Sequence, residues 1–380
     1  MKRPMIPFFG IDRQYQTIRK ELAAVTDMIL TSGWVMNGSY TEQFERSIAE
    51  YERMPRGTQA VAVHSGTQAL ELAAAHYYKL INEDAADYHD RIYAIIPSLT
   101  FVATANAMVR AGFTPIFADV DRNGIIDVSK IDLESIPHPH ILVYVGLYGQ
   151  CYTAEVVKFI QETRTGVIED AAQHFGSSRP GYPCGALGDY TCLSFDPTKH
   201  LSAHGNAGMV ITRDNIMANS IRSLRAHDTM LNHGAPGTNS RISEVDAATL
   251  SIKFRHFKEW QRRRQEIAEH YIQVLDGNNC RVVCHDTKNV DRHSWQKFVI
   301  EVDHRDDLRQ FLTDNNIETR VHYEQPVHEL EFFRRFKHPG HLSVATSLSR
   351  RVLSLPIYPE LTDGEVEFIA DTVKKRLQKP

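Results

Sequence analysis

Six short, almost wholly apolar runs punctuate the first two-thirds of the chain, and helical patterns separate several of them. They are "RIYAIIP" (91–97), "TPIFADV" (114–120), "HILVYVGL" (140–147), "GVIED" (166–170), "YTCLSF" (190–195) and "GMVIT" (208–212). None shows the in–out alternation of a sheet wetted on one face, so they fit strands covered on both faces. The segments Thr67 to Leu80, Thr100 to Arg110 and Ala154 to Glu162 read as helices. In the first, Ala69, Leu72, Ala73, His76, Tyr77 and Leu80 fall on one apolar face. Strand–helix alternation of this kind predicts an α/β fold with a mostly parallel central sheet covered by helices.

The texture changes near Ala247. "AATLSIKFRHFKEWQRRRQEIAEHYIQVL" predicts one long helix to Leu275. Beyond it, "WQKFVIEV" (295–302), a helix near 305–315, "ETRVHY" (318–323) and a helix over 363–377 predict a smaller C-terminal α+β domain. The expected division is 1–250 for the large domain with an N-terminal arm, and 251–380 for the linking helix and small domain. The polar stretch "INEDAADYHD" (81–90) reads as a surface extension of the helix before it.

Composition narrows the function classes. Lys plus Arg number 43 against 47 Asp plus Glu, a formal net charge of −4, and no basic patch suggests a nucleic-acid partner. The densest cationic cluster, Arg262 to Arg264, reads as a solvated helix face. No apolar run approaches the roughly 18 residues of a membrane span, and the N-terminus lacks a secretory signal. Five cysteines (Cys151, Cys184, Cys192, Cys280, Cys284) form no CxxC pair, so reduced thiols and a cytoplasmic location are expected. The tightest histidine group, His138 to His140, has no second ligand set, and no metal is expected.

Three places can carry chemistry. Ser65, Gly66 and Thr67 precede or open a helix, where free amides and the positive dipole end suit a phosphate; a plain helix cap is the alternative. Asp170 ends an apolar strand, at the sheet edge where α/β folds bind ligands, and Gln173 lies three residues on; a cap is again the alternative. Lys199 is the single lysine in "SFDPTKHLSAHGNAGMVIT", a turn between two buried runs, with Ser194 five residues earlier. A desolvated lysine becomes a nucleophile toward carbonyls, whereas most lysines are simply exposed. Together the three supply what pyridoxal phosphate needs: a phosphate cradle, a carboxylate for the ring nitrogen and an amine for the aldehyde. Phe101, in "PSLTFVATANA", is expected at a strand end, where it could stack on a flat ring.

The set "SGTQAL", "PSLTFVATANA", "TPIFADVD", "IEDAAQHFG", "SFDPTKH", "GTNSRISEVDAA" and "LSLPIYPELT" resembles the DegT/DnrJ/EryC1/StrS aminotransferase family over nearly the whole chain. The resemblance implies the fold type I pyridoxal 5'-phosphate fold, and amination of a nucleotide-linked keto sugar at C3 or C4 with glutamate as donor. It implies deoxysugar biosynthesis, including that of lipopolysaccharide O-antigen. It also implies that Lys199 attaches the cofactor, Asp170 pairs with the ring nitrogen, Gln173 contacts the ring hydroxyl and Phe101 stacks on the ring. Gly66, Thr67 and Ser194 would bind the phosphate. Asn239 would reach it from the other subunit of a homodimer with shared active sites, and Arg241 would add charge nearby. The sequence departs from the family pattern at His200, where Asn is common, and at "HGNAG" (204–208), which is nearer the forms of C3-aminating members. Other readings are a keto-cyclitol aminotransferase, a sugar dehydratase on the same scaffold and a non-catalytic regulator.

Overall fold

A computed structural model of the chain describes residues 4–84, 91–136, 140–231, 233–283, 292–336, 338 and 340–378. Two helices come first. α1 (Ile11–Ser32) buries Ile18, Leu22 and Ile29 along one side and stops at Gly33, whose φ of 71° is the left-handed conformation glycine adopts freely. α2 (Ser39–Ala49) has no capping side chain of its own at Gly38. The buried Glu244 supplies one from across the fold, accepting the Tyr40 amide at 2.9 Å and the Thr41 amide at 3.1 Å.

The alternating region then builds β1 (Gln59–Val63), α3 (Gly66–Asp84), β2 (Tyr93–Pro97), α4 (Val102–Arg110) and β3 (Thr114–Ala118). β4 (His140–Val145), α5 (Ala154–Thr163) and β5 (Gly166–Asp170) follow, then a two-residue ladder of β6 (Ser178–Arg179) with β7 (Tyr182–Pro183). β8 (Tyr190–Ser194), β9 (Gly208–Thr212) and α6 (Asn215–Leu224) complete the region. The sheet has the order β1-β9-β8-β5-β4-β2-β3. Every pair is parallel except the two that β9 makes, with β1 and β8. Helices cover both faces, as the apolar runs required: Ala69, Ala73 and Met108 pack on one side and Phe44, Ile48 and Leu250 on the other.

α7 (Glu244–Leu275) serves two cores. Its Ala247, Leu250 and Phe257 pack on the large sheet, while Ile267, Tyr271 and Leu275 pack on a second, antiparallel sheet. That sheet joins β10 (Cys280–Val283), β11 (Phe298–Val302) and β12 (Val352–Leu355) in the order β10-β11-β12. α8 (Arg305–Asp314), α9 (Ser343–Arg351) and α10 (Asp363–Leu377) flank it.

Three expectations change. "ETRVHY" forms no strand; Arg320 makes a single bridge to Ser354, and the segment's end meets the large domain, the His322 carbonyl accepting the Tyr148 hydroxyl and the Tyr323 hydroxyl accepting from Gln173. Phe101 lies beyond the strand end, as the residue before α4. Arg264 is buried rather than solvated, and its guanidinium donates to the Trp295 carbonyl at 3.1 Å and the Ile357 carbonyl at 2.8 Å. Two backbone carbonyls hold the charge there, a role the run of arginines does not reveal. The 81–90 stretch is helical through Asp84, and 85–90 lies outside the described residues, as do His138 and Cys284. No helix among the described residues is long and apolar enough to cross a membrane.

Candidate active site

A cavity of about 480 Å3 opens at the carboxyl ends of β1, β2, β5 and β8. Gly66, Thr67, Phe101, Asp170, Gln173, Ser194 and Lys199 all line it. Four sequence segments therefore converge where parallel strands end, the position at which their helices and loops diverge.

At one end, Ser65 caps α3, its hydroxyl accepting the Gln68 amide at 3.1 Å. The cap reading thus holds for Ser65, while the first-turn amides at Gly66 and Thr67 have no partner inside the helix. Two glycines let the neighbouring backbones close on this turn. A Cβ on Gly66 would lie 2.6 Å from Ser194 Cβ, and one on Gly208 would lie 2.3 Å from the Ser65 carbonyl carbon. The result is a cradle of amides and hydroxyls with room for an anion and none for added side chains.

Asp170 ends β5 and is buried. The Thr104 hydroxyl donates to its Oδ2 at 2.7 Å and the Ala172 amide to its Oδ1 at 3.2 Å. Burial raises the carboxyl's pKa, against the pull of those two hydrogen bonds and of Lys199. Among the described residues it has no ion-pair partner within salt-bridge distance, so its carboxyl is presented to the cavity held by two hydrogen bonds and the more distant charge of Lys199. Gln173 is fixed by protein at both ends: its Oε1 accepts the Tyr148 amide at 2.9 Å, and its Nε2 donates to the Tyr323 hydroxyl at 3.1 Å. Beneath Asp170, the buried Glu169 accepts from His174 at 2.9 Å, Thr191 at 2.9 Å and the Gly185 amide at 3.1 Å. Glu169, His174 and Cys184 have ligand atoms within 4.8 Å of one another, but protein donors already occupy the carboxylate.

Lys199 sits in the 13-residue connection that reverses the chain from β8 to β9. The turn is held locally by the Lys199 amide on the Asp196 carbonyl at 2.8 Å, and from the small domain by Gln296 Nε2 on the Thr198 carbonyl at 3.0 Å. Lys199 is half-buried and lines the cavity. Burial lowers its pKa, and Asp170 and Asp196 oppose that shift. A larger neutral fraction makes it a better nucleophile.

A model of the DegT/DnrJ/EryC1/StrS aminotransferase family matches residues 16–374. The chain belongs to that family. It is 32% identical to a pleiotropic regulatory protein of Geobacillus stearothermophilus, over 97% of this chain and 97% of that one. It is also 32% identical to the dTDP-3-amino-3,4,6-trideoxy-alpha-D-glucose transaminase of Streptomyces venezuelae, over 98% and 96% respectively. The solved structure of S. venezuelae DesV in complex with ketimine intermediate superposes with a TM-score of 0.87 at 29% identity, covering 100% of both chains.

One expected residue of this DegT/DnrJ/EryC1/StrS protein stays out of the cavity. Asn239 is exposed, bridges Ala226, and accepts from Arg241 at 3.4 Å. Several lining residues were not anticipated: Phe9, Lys297, Arg320, His322 and Tyr323 come from the N-terminal arm and the small domain. Lys297 carried a signal, a lysine between Gln296 and the apolar "FVIEV". Thr104, which acts on the site through Asp170 rather than lining the cavity, carried one too, a small polar residue three positions after Phe101 on a helix whose other polar residues are Asn106 and Arg110.

His200, the departure beside the lysine, is buried between the Phe175 and Phe257 rings, and its Nε2 bonds the Phe175 carbonyl at 2.9 Å. The ring is a neutral donor there, and burial first, then Arg264, push its pKa down to about 3. The unfolded ring binds a proton near 6.5, so stability from this group is complete above pH 6.5 and falls as pH drops toward 3. His200→Asn is expected to flatten the acid limb of a stability–pH curve by about 1.4 kcal/mol per pH unit in that window, measured by denaturant titration at stepped pH. An unchanged acid slope would count against a neutral buried imidazole.

Proposed function

We propose that the protein is a pyridoxal 5'-phosphate-dependent transaminase that moves an amino group from glutamate to C3 of a nucleotide-linked keto-deoxysugar. The observation that carries this reading is the pairing of Asp170 and Lys199 across one cavity that also opens on the amide end of α3. The residues present fit the cofactor. Gly66 and Thr67 amides with the Thr67 and Ser194 hydroxyls would hold its phosphate, and Phe101 would cover its ring. Asp170 would face the ring nitrogen and Gln173 Nε2 the ring hydroxyl. Bound there, the cofactor supplies an electron sink for the carbanion left when an amino acid loses its α-proton. Lys199 Nζ is the base that takes up that proton and returns it. The residue ranges 1–250 and 251–380 divide the labour in this reading, the first carrying the cofactor and the second closing the cavity.

The 3-amino product in the name of the S. venezuelae relative supports C3 over C4, in line with "HGNAG". The same reading puts the protein in the cytoplasm, with its product serving deoxysugar assembly such as a lipopolysaccharide O-antigen. A panel of dTDP-, UDP- and GDP-linked 3-keto and 4-keto sugars with glutamate tests the reaction. Amination of a 3-keto sugar with release of 2-oxoglutarate is expected. Amination of 4-keto sugars alone would overturn the C3 assignment, and no amination of any would overturn the sugar-transaminase reading.

We also propose a homodimer with shared sites. The exposed Asn239 and the half-buried Arg241 would face the partner's phosphate cradle, and the exposed Met28, Leu30 and Trp34 of the α1 region offer apolar surface for the contact. Mixing inactive Lys199→Ala and Asn239→Asp chains should restore up to half the wild-type activity per heterodimer, because one site then carries both defects and the other neither. No recovery after proven subunit exchange would mean that Asn239 does not act across an interface.

A further inference from the structure

A second lysine, this one buried, faces the cavity. Lys297 precedes β11 and is 5% exposed, with its amide on the Tyr148 carbonyl at 3.2 Å. The Tyr148 amide is in turn held by Gln173, so Lys297 is tied to the side of the cavity that carries Gln173 rather than to the Ser65–Thr67 turn. Its Nζ lies 5.7 Å from the Phe8 ring centre and 5.4 Å from that of Phe9, contacts that favour a cation from one side only. No carboxylate among the described residues pairs with it. Burial lowers the amine's pKa well below its usual value, and the charges of Lys199 and Arg264 push the same way. A lysine that merely covers apolar surface carries its ammonium out to bulk water. This one ends at the cavity wall, beside Lys199.

An uncompensated buried cation is costly, and an anion brought into contact with it removes much of the cost. The chemistry dictates where a substrate anion must stand. In any α-amino acid the carboxylate is one bond from the carbon that loses its proton, so it has to lie next to Lys199. The diphosphate of a nucleotide-linked sugar is separated from a reacting C3 by ring carbons and belongs nearer the mouth. Arg320 is a weaker candidate for the inner position, because it is half exposed and already paired with Glu318.

We propose that Lys297 is the receptor for the α-carboxylate of the amino donor. This rests on the transaminase reading above. One charge-assisted hydrogen bond of this kind changes affinity roughly 10- to 150-fold.

The test uses holoenzyme and the variants Lys297→Met and Lys297→Arg. Rapid mixing with glutamate follows the loss of the yellow absorbance, giving a donor dissociation constant and a limiting rate. Lys297→Met should raise that constant 10- to 150-fold with the limiting rate within a few-fold and the cofactor content unchanged. Lys297→Arg should recover most of the affinity. The reverse half-reaction, from the aminated cofactor with keto sugar, should be unaffected. Unchanged glutamate affinity in Lys297→Met, or a defect confined to the sugar half-reaction, would overturn the proposal.

A binding arm keeps the result independent of turnover and of variant folding. Glutarate should bind the wild-type protein in calorimetry and its diamide should not. Equal binding of the two, or of neither, would also overturn the proposal. Glutarate binding that depends on Lys297 in a protein that aminates nothing would instead support the subsite and sink the transaminase reading.

Discussion

Lys199→Ala is expected to abolish turnover, by at least about 10^4-fold, and to remove the yellow absorbance of lysine-bound cofactor. Two functions leave with one amine: the attachment of the cofactor and the base that handles the donor's α-proton. Neither Asp170 nor His200 can substitute. Asp170 is fixed by Thr104 and Ala172, and the ring of His200 is turned to the Phe175 carbonyl. Absorbance of the purified variant and an assay with glutamate and keto sugar check the two losses separately. A variant that keeps the native spectrum and activity would show that Lys199 is an ordinary turn residue. Wild-type protein that takes up no cofactor would point to the regulatory reading instead.

Asp170→Asn should lower kcat about 10²- to 10³-fold while leaving the fold intact. The amide keeps the shape: its oxygen stays on the Ala172 amide and its NH2 donates to the Thr104 hydroxyl, so local packing survives. What disappears is the negative charge that keeps a ring nitrogen protonated and the ring electron-withdrawing. Removing a buried, unpaired carboxylate also relieves a desolvation cost, so the denaturation midpoint should hold or rise. Steady-state kinetics beside a thermal melt separate the two effects. Near-normal turnover would refute the role assigned to Asp170, and a collapsed melt would make it structural.

Much of the large domain was legible because its signals are local. Strands β2 to β5, β8 and β9 are continuous apolar runs, which only a sheet covered on both faces can hide. β1 was missed: "QAVAV" opens on a glutamine and alternates small alanines with valines, a weak apolar signal, and its sheet partner β9 is known only from the folded chain. β10 and β12 are four residues each, too short for a period to declare itself. In the site, Lys199 and Asp170 were visible because an ionisable residue at the end of a buried run has an energetic cost that calls for a use.

What the sequence by itself determined, then, is the α/β layering, the chain order of the cofactor residues and the family to which they belong. Each follows from apolar period, from the position of a charge against a buried strand, or from motifs that keep their order. The tertiary structure alone decided what stands around them. Phe9, Lys297, His322 and Tyr323 reach the cavity from segments more than a hundred residues from Asp170, and packing of the arm and small domain against the large sheet, rather than any local pattern, sets that meeting. The same holds for Arg264, solvated by its pattern but buried because the small domain packs against α7 and offers it the Trp295 and Ile357 carbonyls. A side chain's burial depends on what covers it, and the covering elements here are distant in sequence.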